Sequence, residues 1–267
     1  MKHIVDRHPI GFNYGFNSIT EIDGKNKEMQ MDFAIVKLKK GLEFVSCETL
    51  KERVLLLIQG SVELEWENKR VKIKRDSCFD ENPICLHVPK EIQVKITGIL
   101  ESELVYQAVY NEKTFSSKLY KQNDCISEEF GKGVLNETSL RTCRTIIDDS
   151  IAPYSNLVIG EVLNYPGRWS SYPPHYHIQP EIYFYKFYPR QGFGYGELGE
   201  EVYKIHENDS AFLTSGKTHS QVTAPGYAMY YVWLIPHIKE KRWEKDRIYL
   251  KRNLWMLEPN AKIWPEK

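Results

Sequence analysis

Two histidines with one residue between them, a glutamate four further on and a single histidine downstream are the side chains best suited to chemistry here: His175, His177, Glu181 and His219. Residues two apart on a strand point to the same face, so a strand through His175 and His177 aims both imidazoles into one space. Glu181 shares their parity and continues the set if a bend at Pro180 starts the next strand. His219 follows a turn containing Gly216 and can close the set from a neighbouring strand. Three imidazoles and one carboxylate suit a borderline divalent ion (Zn, Mn, Fe, Co or Ni) with positions left open for a substrate. A lone strand histidine is more often a satisfied polar residue. Four such groups in this order predict a metal site.

The elements that must position these groups are strands. Apolar and β-branched runs alternate with Gly, Pro, Asn or Asp, the pattern of a sandwich or barrel. Candidates in the first half are 31–37, 54–58, 61–66, 84–88, 93–97 and 102–110, with a polar hairpin connection at Glu67-Asn68-Lys69-Arg70. A charged stretch leads to a second block at 156–163, 182–187, 201–205, 210–213, 220–222 and 228–235. The two halves echo each other, but the first carries only His87 in its comparable region. Two β domains are expected, residues 1–145 without metal ligands and residues 146–267 with them. The tail from Lys239 is charged with spaced tryptophans, and is expected to pack back as irregular structure or short helix.

Bulk properties bound the function. The chain has 267 residues, 42% hydrophobic and 27% charged, a globular rather than a disordered composition. Its 36 basic and 36 acidic residues cancel, which argues against nucleic acid or an anionic membrane as the main partner. No apolar run reaches the roughly 18 residues that span a bilayer, and the start lacks a signal-peptide core. The 5 cysteines form no CxxC pair and read as buried thiols of a cytoplasmic protein. Ser170 and Ser171 sit in no nucleophile elbow. Gly192 to Gly196 lacks the strand-to-helix context of a nucleotide loop and reads as a turn near a barrel mouth. His206 and His237 read as structural or exposed.

The HxH, the glutamate shortly after it and the later segment Asp209 to His219 form a two-part motif similar to that of the cupins. More narrowly, the second half resembles the 5-deoxy-glucuronate isomerase family of bacterial inositol catabolism. The resemblance rests on Arg144-Thr145-Ile146, on Leu157 to Val162, on Gln191 to Gly194, on Ala224 to Tyr227 with Tyr230-Tyr231, and above all on Trp169-Ser170-Ser171-Tyr172-Pro173-Pro174-His175-Tyr176-His177. The short spacing to Glu181 is closer to the related 5-keto 4-deoxyuronate isomerases of pectin breakdown.

The resemblance implies an all-β bicupin of two β-sandwich or jelly-roll barrels. It implies a metal held by His175, His177, Glu181 and His219, and interconversion of an aldehyde and a ketone on a deoxy-uronate. By analogy within the fold family it also implies a homo-oligomer paired through sheet edges. Tyr183 and Tyr185 share parity with Glu181, and either bond a sugar's hydroxyls or fill the barrel. Glu161 interrupts an apolar strand and is costly to bury alone; it reads as a proton shuttle or as half of a structural ion pair. For a substrate carboxylate the nearest cation is Arg168, with Lys217 and Arg190 as rivals. Other readings of the same ligand set are a metal-dependent dioxygenase and a sugar-binding cupin without turnover.

Overall fold

Leucine-rich runs without a polar residue, such as Val54-Leu55-Leu56-Leu57-Ile58, suit strands buried on both faces. In the computed structural model, which describes residues 4–239, 241–245, 247–258 and 261–265, this run lies in the long strand Lys51–Trp66. Leu55, Leu57, Val62 and Leu64 face one core, while Val54, Leu56 and Ile58 face another. The first half of this strand pairs with Ile84–Val88 and Ser102–Tyr110, and the second with Lys69–Arg75 and Val94–Gly98. The two strands expected at 54–58 and 61–66 are therefore one strand turning a corner. A register shift between Leu57 and Gln59 marks the bend. At Gly60, φ is 108° and a Cβ would come within 2.4 Å of the Glu101 carbonyl, so only glycine fits.

The second barrel repeats the scheme. Its larger sheet runs Val5–Asp6, Ser210–Leu213, Glu181–Tyr188, Ala228–Pro236, Leu157–Asn164, Arg141–Ile147, Ile126–Phe130. Opposite it stand Trp169–Ser170, Gln221–Thr223, Phe193–Leu198 and Glu201–His206. All these pairings are antiparallel. Period-2 alternation decides which side chains point inward. Tyr183, Tyr185, Phe187, Val158, Val162, Tyr231 and Trp233 pack inside the barrel. Their neighbours Ile182, Phe184, Ile159, Tyr230, Val232 and Leu234 turn outward and pack with Val54, Leu56 and Phe33 of the first barrel. The two barrels thus share a core between their sheets.

The chain is all β-sheet with short 3-10 turns and no α-helix among the described residues, and no described helix is long and apolar enough to cross a membrane. The expected division at residue 145 falls inside the strand Arg141–Ile147. That strand, with Ile126–Phe130 before it and Val5–Asp6 from the start of the chain, belongs to the second barrel's sheet. The Gly192 to Gly196 segment is mostly strand, Phe193–Leu198, rather than turn. In the tail, Ile248–Tyr249 forms a strand and Lys251–Leu257 a 3-10 helix. All 5 cysteines are unpaired, but only Cys78 and Cys85 are fully buried.

Candidate functional site

His175, His177 and Glu181 lie at one mouth of the second barrel, where the chain enters the strand Glu181–Tyr188. The turn before His219 is tied to them, since the Gly216 amide donates to the His177 carbonyl at 2.9 Å. The Glu181 carboxylate then stands 3.2 Å from His177 Nε2 and 3.5 Å from His219 Nε2. Ligand atoms of His177, Glu181 and His219 all lie within 4.8 Å of one another. His175 lies outside that tight trio but lines the same cavity, its ring 5.3 Å from that of His219.

The imidazoles are held alike. Nδ1 of His175, His177 and His219 lies 2.8, 3.0 and 3.0 Å from the backbone carbonyls of Pro173, Gln179 and Lys217. A carbonyl only accepts, so each Nδ1 carries its proton, and it is Nε2 that a neutral ring would offer to an ion. A carbonyl partner on the far nitrogen is the usual support of a metal-bound histidine. Burial, reinforced by His219 and Arg247, pushes His175 down to about 2. Burial also lowers His219, against the pull of Glu181. Neutral imidazole is the form that binds metal, so the donor set fits a divalent ion.

These groups line a cavity of about 300 Å³, whose wall also includes Ser171, Tyr183, Tyr231, Trp233 and Trp243. Gly160 makes room for this wall, because a Cβ there would meet the Trp233 ring at 2.2 Å. The Tyr183 hydroxyl pairs with Ser171 at 3.0 Å and that of Tyr231 with Ser170. Burial raises Tyr183 well above the usual phenol range and Tyr231 to about 12, leaving both as neutral donors. The indole nitrogens of Trp233 and Trp243 are buried without an acceptor. Charge enters the lining through Glu128, Arg141, Lys245 and Arg247. The last two come from the tail, which is pinned across the site by pairing of Tyr249 with His175 and Ile248 with Tyr176.

The KduI/IolB family model matches residues 6–248, both barrels and the cavity included. The chain belongs to the KduI/IolB family. The 5-deoxy-glucuronate isomerase of Bacillus licheniformis is 25% identical over 254 residues, covering 87% of this chain and 91% of that protein. That of Bacillus subtilis strain 168 is 24% identical, covering 82% and 86%. Among solved structures, an IolB-like protein from Salmonella typhimurium LT2 superposes with a TM-score of 0.86 at 21% identity, over 96% of this chain and all of that one. A cupin 2 conserved barrel domain protein from Leptotrichia buccalis superposes at 0.53 with 14% identity, over 85% and 92% of the two chains. The fold is of the cupin type, and the chain is an isomerase of the KduI/IolB family.

Within this KduI/IolB barrel the structure redistributes several expected roles. Glu161 has the outward parity of Leu157 and Ile159, so it faces the other barrel and not the cavity. There it accepts from Arg75 at 2.6 and 2.8 Å and from Tyr230 at 2.6 Å, with Arg144 at 3.5 Å. It is half of a buried ion pair and lies outside the cavity lining, which favours the structural of its two expected roles. Tyr183 lines the cavity, whereas Tyr185 lies one layer deeper, buried beside Tyr231. Arg168 is on the loop before Trp169 and outside the lining; Lys217 and Arg190 are outside it as well. The lining cations are Arg141, Lys245 and Arg247, which carry no motif. The signal that could have found Arg141 is an arginine in an alternating run, Arg141 to Ile147, whose inward parity it shares with Cys143 and Thr145.

Proposed function

We propose that the protein is a metal-dependent aldose-ketose isomerase converting 5-deoxy-glucuronate to 2-deoxy-5-keto-gluconate. The carrying observation is the set of three histidines, each with Nδ1 on a carbonyl, gathered about Glu181 in a cavity with unclaimed cations. Curated relatives named 5-deoxy-glucuronate isomerase support the substrate.

Moving a carbonyl to the adjacent carbon removes one C–H proton and returns it next door through an enediolate. A divalent ion held by His177, Glu181 and His219, with His175 beside them, would polarise the carbonyl as a Lewis acid. The carbonyl-anchored rings keep the donors fixed, so little reorganisation accompanies the reaction. Tyr183 and Tyr231 hold their protons and donate to sugar oxygens. Glu128 is the lining carboxylate outside the cluster, and gives the cavity a proton acceptor. Trp233 and Trp243 form an apolar wall that excludes water from the enediolate.

The test is anaerobic incubation of metal-loaded protein with 5-deoxy-glucuronate, followed by NMR. Growth of the ketone signal at the expense of the aldehyde is expected. A bound metal and an intact fold with no conversion would overturn the substrate. The first alternative is then 5-keto 4-deoxyuronate, on the short spacing between His177 and Glu181. Turnover that required oxygen would instead favour dioxygenase chemistry.

A further inference from the structure

We propose that Arg141 and Arg247 together form a carboxylate receptor, through which this cavity selects sugar acids over neutral sugars. The inference rests on the isomerase reading above, and names the groups that recognise one end of its substrate.

Buried guanidinium groups are normally paired with carboxylates. Arg141 is only 9% exposed. Its partners among the described residues are backbone carbonyls, of Ser139 at 2.8 Å and, weakly, of Tyr172 at 3.5 Å. No described carboxylate forms an ion pair with it, although the chain pairs Arg75, Arg70 and Arg242 in this way. Arg247 likewise has no ion pair among the described residues. Of the other lining charges, Lys245 is 3.1 Å from Asp148 and Glu181 is turned to His177 and His219, while Glu128 forms no ion pair with either arginine. Two guanidinium groups remain for an anion.

Their placement matches one binding end. Both lie against the same ring, Arg141 at 5.5 Å and Arg247 at 5.7 Å from the centre of Phe130. That aromatic surface supports the planar forks while leaving their N–H edges for a ligand. Two forks on one carboxylate give charge-assisted, directional bonds. Arg141 comes from the sheet and is fixed, whereas Arg247 immediately precedes the tail strand Ile248–Tyr249 that lies over His175. A neutral sugar would leave the buried Arg141 unpaired, which penalises it relative to an acid. The receptor shares its cavity with the metal-ligand candidates, since Arg141 and Arg247 line the same wall as His175, His177 and His219.

The test is calorimetric titration of the metal-loaded full chain with D-glucuronate and, separately, with D-glucose. Wild type is expected to bind glucuronate about 100-fold more tightly than glucose. Arg141→Gln and Arg247→Gln should each lose about 10- to 100-fold for glucuronate and leave glucose unchanged, with Lys at either position restoring part of the loss. In turnover the same variants should raise KM with kcat little altered and metal content unchanged. Arg247 is exposed, so its variant reports even where Arg141→Gln fails to fold. Equal affinity of wild type for both sugars, or unchanged glucuronate affinity in the Arg247 variant, overturns the receptor. The two readings separate cleanly. Glucuronate binding without conversion of 5-deoxy-glucuronate leaves the receptor standing and removes the reaction, and conversion with an unmoved KM in the Arg247 variant does the reverse.

Discussion

Glu161 shows how one residue's parity decides its role. It sits next to Val162, which lines the cavity, yet its own side chain enters the seam between the barrels and meets Arg75. Replacing one partner of a buried pair leaves the other charge stranded, at a cost of about 3–5 kcal/mol. Glu161→Gln is therefore expected to lower the unfolding free energy from urea melts by that order while kcat of the folded, metal-loaded enzyme stays within a few-fold. A collapse of kcat at undiminished stability would restore the proton-shuttle role. The ligand candidates were legible in the sequence because HxH, Glu and a distant His form a chemical pattern of their own. Arg141 had only its parity within an alternating run to mark it, and Arg247 had nothing, because a cation in an irregular tail has the same sequence signature whether it faces a cavity or water.

At the scale of elements, most strands were legible from alternation and punctuation. The edge strand Ile126–Phe130 was not, since its first four residues are exposed and carry no apolar stripe. The tail strand Ile248–Tyr249 is too short to show a period, yet it covers His175. A histidine read from sequence as structural or exposed turns out to anchor that tail. His237 Nδ1 accepts the Trp243 amide at 2.9 Å, and Trp243 packs on Trp233 in the cavity wall. Burial lowers His237 to about 4, with Arg242 adding to the effect and Asp149, Glu52 and Asp148 opposing it. Because the folded value lies below the ordinary 6.5, the unfolded chain takes up this proton first as pH falls. The resulting loss of stability should begin below about pH 6.5 and be complete near pH 4, with the slope of one proton. Urea melts of wild type and His237→Asn across that range check it, the variant being expected to lose this proton's share of the slope. Identical slopes would contradict the assignment.

For the whole molecule, the shared core between the sheets matters more than either barrel alone. Phe33, Val54 and Leu56 from one side meet Ile182, Phe184 and Val232 from the other. Polar ties cross the same seam, with Glu52 accepting from Ser155 at 3.0 Å and Arg144 donating to the Cys78 carbonyl at 2.8 Å. Val5–Asp6 also lends the second barrel its outermost strand. Fragments 1–145 and 146–267, expressed separately, should therefore fail to give the cooperative unfolding and sheet circular dichroism of the intact chain, because each exposes one side of that core. Two fragments that fold independently would contradict the shared core. The sequence hinted at the duplication but not at this seam, since strands buried on both faces read alike whichever barrel they face.

The central claim is that isomerisation depends on a divalent ion held at His177, Glu181 and His219. Its most direct test is to strip the protein with chelator, add back one divalent metal stepwise without oxygen, and follow conversion of 5-deoxy-glucuronate by NMR. Activity should be absent at first, rise linearly and saturate near one equivalent per chain, with His219→Ala binding no metal and remaining inactive. Full conversion by the stripped protein, or by a metal-free His219→Ala, would contradict it.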